Sequence, residues 1–298
     1  MAYSTEAVAA HPDTPTICGS HGLENPLTSP TGSKWTYSGQ TGHGTFSAVD
    51  NTHSVYPIVA LHNRDLGGED TRPSVSTVTE YYLVLRTSGG VSFDTVVLCM
   101  GNADTYPVTN ALLETADDDA FATNLTTIWN LGGPGNNKRQ VVMLGTRYNN
   151  VDRVRLRLQR GSAWQPQVTE LWLTRRYNIA QQPKGPWDEQ SRRSDVSITR
   201  TKGGLFTVYS RATGGRYGTA RFESDASADY GNFRSGLAGA DYAAKPFLWV
   251  DNPNTSPGSA IVVVSPAAQI EAALQSWALS ARDFELQFEE SAPYKVKE

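Results

Sequence analysis

The sequence predicts an all-β protein of two β-sandwich domains, the first of jelly-roll type and the second smaller, mostly β with one short helix. Three observations predict it. Short runs in which apolar and polar residues alternate recur from Lys34 to Tyr177 and again after Ser194, a period of two that belongs to strands. Gly, Pro, Asn and Asp separate those runs at close intervals, as at Asp50-Asn51, Gly67-Gly68 and Gly89-Gly90. Between residues 178 and 193 the composition shifts to Pro, Gly, Gln and charge, which divides a chain of 298 residues into two parts of ordinary domain size.

Residues 1–32 carry Pro12, Pro15, Pro26 and Pro30 among many Thr, Ser and Gly, and read as an extended arm that docks on the body. Residues 33–177 form the first sandwich. Its strand signals are 34–38, 54–63, 78–87, 91–100, 125–133 and 137–146, followed by a hairpin over 151–177 that closes the domain. In the hairpin's first arm Val154, Leu156 and Leu158 alternate with Arg153, Arg155 and Arg157, placing apolar residues on one face and charge on the other; its loop holds Gly161 and Pro166. The acidic run 110–125, NALLETADDDAFATNL, reads as a short helix plus a loop. Residues 178–193 are the linker. Residues 194–298 form the second domain, with a short helical turn ahead of a buried strand at 247–250 and a closing strand in which Phe284, Leu286 and Phe288 alternate with polar residues.

Composition narrows the function. Net charge of −4 argues against a general nucleic-acid binder, whose affinity rests on a positive excess. The N-terminus lacks a basic start and a sustained apolar stretch, and no window of about 18 apolar residues occurs, so neither a signal peptide nor a membrane span is expected. A soluble product made in a cytoplasm follows. The two cysteines, Cys18 and Cys99, are too few for a disulfide framework and read as reduced thiols. The nucleophile-elbow, phosphate-loop, zinc-protease and dinucleotide-binding signatures are absent. His11, His21, His43, His53 and His62 lack the spacing of metal ligands on one element, and Asp117, Asp118 and Asp119 lack the alternation of a calcium loop. Glu80, Glu114, Glu170 and Asp94 suit a glycosidase carboxylate pair by type, but nothing in the sequence pairs them. No cofactor, metal or catalytic residue is expected.

Two features invite a binding role. Arg153, Arg155 and Arg157, with Arg175 and Arg176, make a local basic face, which is either a solvated surface paired with carboxylates of adjacent strands or a subunit interface. Trp164 lies in the hairpin loop among small and polar residues, where a stacking contact to a glycan is open to it.

Residues 169–183, TELWLTRRYNIAQQP, resemble the last strand and exit of galactose-binding-like jelly rolls in tail proteins of long-tailed bacteriophages. Residues 233–253, FRSGLAGADYAAKPFLWVDNP, together with the terminal DFELQFEES, are similar to the compact β domains of distal-tail and baseplate proteins of such phages. The resemblance implies a non-enzymatic virion structural protein of a tail tip or baseplate, made in the host cytoplasm. Its partners would be other tail proteins and copies of itself, with a host-surface carbohydrate as a further ligand. The alternative is a carbohydrate-binding module that attaches to a host-surface glycan.

Overall fold

A computed structural model describes residues 3–8, 16–18, 34–40, 46–50, 52–56, 58, 61, 70–74, 78–132 and 139–178, and in the C-terminal part 190–191, 196–200, 206–210, 216–222, 247–250, 261–264 and 284–290. The described chain is built of strands, with no α-helix among the described residues. It forms two compact units, one of Met1–Ala10 and His21–Arg175, the other of His11–Ser20 and Arg176–Glu298. The chain thus passes between units at Arg175 and Arg176, just ahead of the expected linker, and the N-terminal arm contributes to both.

The first unit is a β-sandwich organised by two long strands, β5 (Glu80–Met100) and β8 (Arg139–Gln159). Their ladder breaks three times, between Arg86 and Val91, Val91 and Phe93, and Phe93 and Thr95. At these breaks each strand leaves one sheet and enters the other, as strands do at sandwich corners. In the first sheet, the early part of β5 pairs with the late part of β8, Leu83 opposite Leu156 and Leu85 opposite Val154. β3 (Lys34–Gln40) and β4 (Phe46–Asp50) extend this sheet beyond β5; β6 (Asn110–Thr115) and β7 (Thr126–Asn130) extend it beyond β8. In the second sheet, the late part of β5 lies between β8 and β9 (Val168–Thr174), and β1 (Ser4–Ala7) flanks β8.

One core joins the two sheets. Leu83, Leu85, Val154, Leu156 and Leu158 from the first meet Val96, Leu98, Leu171 and Leu173 from the second. Burial of each such side chain contributes about 1.5–3 kcal/mol, which is the main term holding the layers together.

Three expectations change here. Residues 151–177 are not a hairpin: β9 pairs with β5, Leu171 opposite Leu98 and Leu173 opposite Val96, while late β8 lies between β5 and β6. β9 is buried along its whole length, so its partner is chosen by the core and not by the nearest strand in sequence. The helix expected from Asn110 is strand β6, because Ala111 and Leu113 enter the core in a ladder with Leu158 and Leu156 that outweighs the helical propensity of Ala, Leu and Glu. Residues 52–56 form a bridge to Pro73 and a turn, where a strand was expected from 54.

In the second unit, β2 (Thr16–Cys18), β10 (Arg176–Asn178), β11 (Gln190–Ser191), β14 (Arg216–Phe222), β15 (Phe247–Val250), β16 (Ile261–Val264) and β17 (Phe284–Glu290) make one sheet in the order β10-β2-β15-β16-β17-β14-β11. β12 (Val196–Arg200) and β13 (Phe206–Ser210) pair separately, and Trp249 is buried. The expected helical turn before residue 247 lies outside the described residues.

Candidate functional site

The arginines of β8 pair with acids of their own chain. On the outer face of the first sheet Arg155 stands opposite Val84 on β5 and Glu114 on β6. Its Nε donates to Glu114 Oε2 at 2.7 Å, and its guanidinium lies 4.9 Å from the Tyr82 ring centre and 4.8 Å from that of Phe121. Arg155 is 6% exposed and Glu114 3%. Phe121 reaches this position from the 116–124 loop with a left-handed φ of 51°, a strained conformation for a bulky residue that is offset by burying its ring. Arg157 pairs with Glu80, and Arg153 bonds Asp119 at 2.6 Å.

Arg155, one of the residues expected at an interface, is buried, bonded to Glu114 and roofed by Phe121. Arg153 and Arg157 are half-buried and also hold carboxylates of their own chain. Arg175 is exposed beside Asn149, and Arg176 is buried. Burial alone would raise the Glu80 carboxyl, but hydrogen bonds from Tyr82 and Arg157 outweigh it and the net shift is downward from 4.5. A carboxyl depressed in the folded state stabilises above its unfolded value, and that contribution is lost as pH falls through the folded one. Acid unfolding should thus steepen below about pH 4.5, and Glu80→Gln should flatten that limb in a pH series of thermal melts.

The remaining carboxylates of interest are likewise engaged. Asp94 accepts from Arg147 at 2.8 Å, Glu170 accepts from Trp172 Nε1 at 2.6 Å, and Glu80 and Glu114 hold their arginines. Asp118 accepts from the backbone of Ala120, Ala122 and Thr123, and bonding with Thr123 leads in holding its carboxyl down to about 2. Asp117 accepts from Asn124, and Asp119 serves Arg86 and Arg153. Among the described residues no group of His, Cys, Asp and Glu is arranged to hold a metal ion. The His53 ring lies tilted at 59° to that of Tyr56, 5.0 Å away; His11, His21, His43 and His62 lie outside the described residues.

Trp164, expected as a glycan contact, is buried. It is 3% exposed, its ring meets Tyr81 edge to face at 6.0 Å, and the Tyr81 hydroxyl donates to its backbone carbonyl. Burial pushes the Tyr81 hydroxyl up to about 12. Trp164 anchors the crossing loop and presents none of its face to solvent.

That anchor organises something else. The crossing loop 160–167 is bonded near both termini of β5, through Trp164 N to Val78 O and Gly101 N to Gln167 O, so β5 begins and ends at the same end of the sandwich. Four segments gather there: 52–56, 70–74, 101–107 and 160–167. Asn102 clamps the crossing loop, donating from Nδ2 to Gln165 O at 2.9 Å and accepting from Gln167 N at 3.2 Å. Gln165 Nε2 donates to Pro73 O at 2.7 Å, Thr71 and Val168 exchange backbone bonds, and His53 N donates to Arg72 O.

Two aromatic–guanidinium pairs sit on this platform. Arg72 lies 3.7 Å from the Tyr56 ring centre and makes a two-point contact with Asp70 at 2.6 and 3.0 Å. Arg160 lies 5.1 Å from the Tyr106 ring centre; Tyr106 is 41% exposed, at the close of a turn in which its N–H donates to Asn102 O. Exposed Val55, at 71%, adjoins Tyr56. Sequence reasoning missed Tyr56, Tyr106, Asp70, Arg72 and Asn102 as site residues. The available signal was an aromatic in a turn, Asp-Thr-Tyr-Pro at 104–107, in place of one in a strand.

No protein-family model and no curated protein matches this chain. Among solved structures, a mutant Ruminococcus gnavus GH29 fucosidase in complex with fucose shares 10% identity over 50% of this chain and 26% of its own, at a TM-score of 0.38. The family 32 CBM of NanJ from C. perfringens, in complex with galactose, shares 7% identity over 53% of this chain and 98% of its own, at 0.34. Chitosan-binding module 1 from a Paenibacillus sp. IK-5 chitosanase/glucanase shares 16% identity over 47% of this chain and 92% of its own, at 0.33. At TM-scores below 0.5 none of these likenesses bears on what this chain binds.

Proposed function

We propose that the chain is a non-catalytic carbohydrate-binding protein that holds a saccharide on the loop end formed by 52–56, 70–74, 101–107 and 160–167. The observation that carries this reading is the exposed Tyr106 ring set beside Arg160 on a platform locked by hydrogen bonds. A pyranose offers C–H faces that pack on an aromatic ring and hydroxyls that pair with planar polar groups. A platform already fixed by its own bonds loses little conformational entropy on binding. A binding role is favoured over a catalytic one because Glu80, Glu114, Asp94 and Glu170 are occupied in holding the fold.

A glycan array with the full chain tests this. At least one saccharide class should be retained, and Tyr106→Ala should weaken that binding about tenfold, the loss of roughly 1.4 kcal/mol of stacking. Retention unchanged by Tyr106→Ala would sink the assignment.

A place in a phage tail, with other tail proteins and further copies of this chain as partners, rests on the resemblance of 169–183 and 233–253 alone. It is a separate proposal, compatible with glycan binding. Mass spectrometry of purified particles decides it, and absence of the chain from them ends it.

A further inference from the structure

The geometry points to an anionic saccharide, one bearing a carboxylate or sulfate group, as the ligand class of this loop end, with Arg160 as its anchor and Tyr106 as its platform; this rests on the glycan-binding reading. Six arginines of the first unit are held by its own acids. Arg72, Arg86, Arg147, Arg153, Arg155 and Arg157 each have a carboxylate of the same chain within salt-bridge distance. Arg160 departs from that pattern, as does Arg175 beside Asn149, which lies outside the loop-end segments. Among the described residues, the Arg160 guanidinium lies over the Tyr106 ring and reaches only the carbonyl of Ala163, at 3.5 Å.

A guanidinium carries its five N–H donors in one plane, and they cannot all be used by one distant carbonyl. A two-oxygen acid group fits the edge of that plane as a forked pair, stronger than a neutral hydrogen bond and fixed in direction. The second guanidinium of the platform is already neutralised, since Asp70 takes two N–H groups of Arg72. Among the described residues the loop end therefore offers one cationic fork that no carboxylate holds, beside an exposed ring and matched to a single acidic group on a sugar packed against Tyr106. A densely charged chain would find no row of cations among the described residues there, and the chain as a whole carries a net charge of −4.

The test compares, on the full chain, oligogalacturonides with their methyl esters, and neutral galactans with their mono-sulfated forms, by calorimetry. Acidic members should bind at least about tenfold more tightly than their neutral counterparts, with binding weakening as salt is raised. Arg160→Gln should remove that preference, lowering acidic-ligand affinity by about tenfold to a hundredfold, so that acidic and neutral members bind alike. Arg160→Lys should restore only part of it, because a point charge lacks the fork. Preference for carboxylate over sulfate, or the reverse, would name the acid within the class.

Equal binding of neutral and acidic sugars, unchanged in Arg160→Gln, would overturn the inference while glycan binding itself stood. Binding that rises with polymer charge and ignores Arg160→Gln would overturn it as well. Failure to bind any saccharide, neutral or acidic, would remove both readings together.

Discussion

Replacing Glu114 by Ala is expected to destabilise the first unit by about 3–5 kcal/mol, because it removes the carboxylate that bonds the buried Arg155 guanidinium held between two aromatic rings. The Coulombic attraction of the pair is offset by the desolvation of both ions, so the penalty comes mainly from the charge left behind. That separates two accounts of the same contact. If the ion pair is a net stabiliser, the double change Glu114→Leu with Arg155→Met should be as damaging as the single one. If the cost is the uncompensated charge, the double change should regain most of the loss, since both positions lie under the Phe121 roof beside Tyr82 and Val84. The second outcome is expected, read as denaturant midpoints for wild type, single and double variants. Arg153 with Asp119 provides the contrast: Asp119 is largely exposed, and its loss should cost no more than about 1 kcal/mol.

Gly90→Ala is the second change with a large expected effect, about 2–5 kcal/mol. Gly90 sits at the break in the β5–β8 ladder with φ of 69°, and a Cβ there would lie 2.7 Å from the Cα of Asn150 and 2.8 Å from its carbonyl carbon. Asn150 is itself left-handed, with φ of 57°, so the two strands cross the corner as a matched pair of unusual conformations. Nothing flexible is available to yield: the obstructing atoms are backbone. Gly132 also has a positive φ, of 66°, but nothing lies within 4 Å of the point where an alanine Cβ would stand, so Gly132→Ala should show only the conformational part, about 1–2 kcal/mol. Equal effects at the two glycines in thermal melts would mean that the close approach at the corner is not what makes Gly90 necessary.

The faces of β8 were legible because alternation is a local property. Val154, Leu156 and Leu158 enter the core, and Arg153, Arg155 and Arg157 stand on the other side. What lies over that second face was not legible. Phe121, which roofs Arg155, comes from a separate loop, and nothing local marks it as a cover. Partner choice was hidden for a related reason: the residues of 168–174 tell that β9 is a strand, but whether β8 or β5 lies beside it depends on how the whole core closes. At 110–115 the residues favour a helix, and only the ladder with β8 reverses that preference. The burial of Trp164 depends on Tyr81, 83 positions earlier, while its own neighbours are small and polar. The loop end escaped notice because it is assembled from four separate segments, each ordinary by itself, brought together only when β5 bends and returns.

Whether a saccharide seats on that loop end is tested most directly by backbone NMR of the isotope-labelled full chain, titrated with the best array ligand. Amide signals of 53–56, 70–72, 101–106 and 160–165 should shift together along one saturable curve, while those of the 116–124 loop and of β1 stay in place. Shifts confined to 116–124, or to the strands of the second unit, with the loop-end amides unmoved, would contradict the assignment of the site.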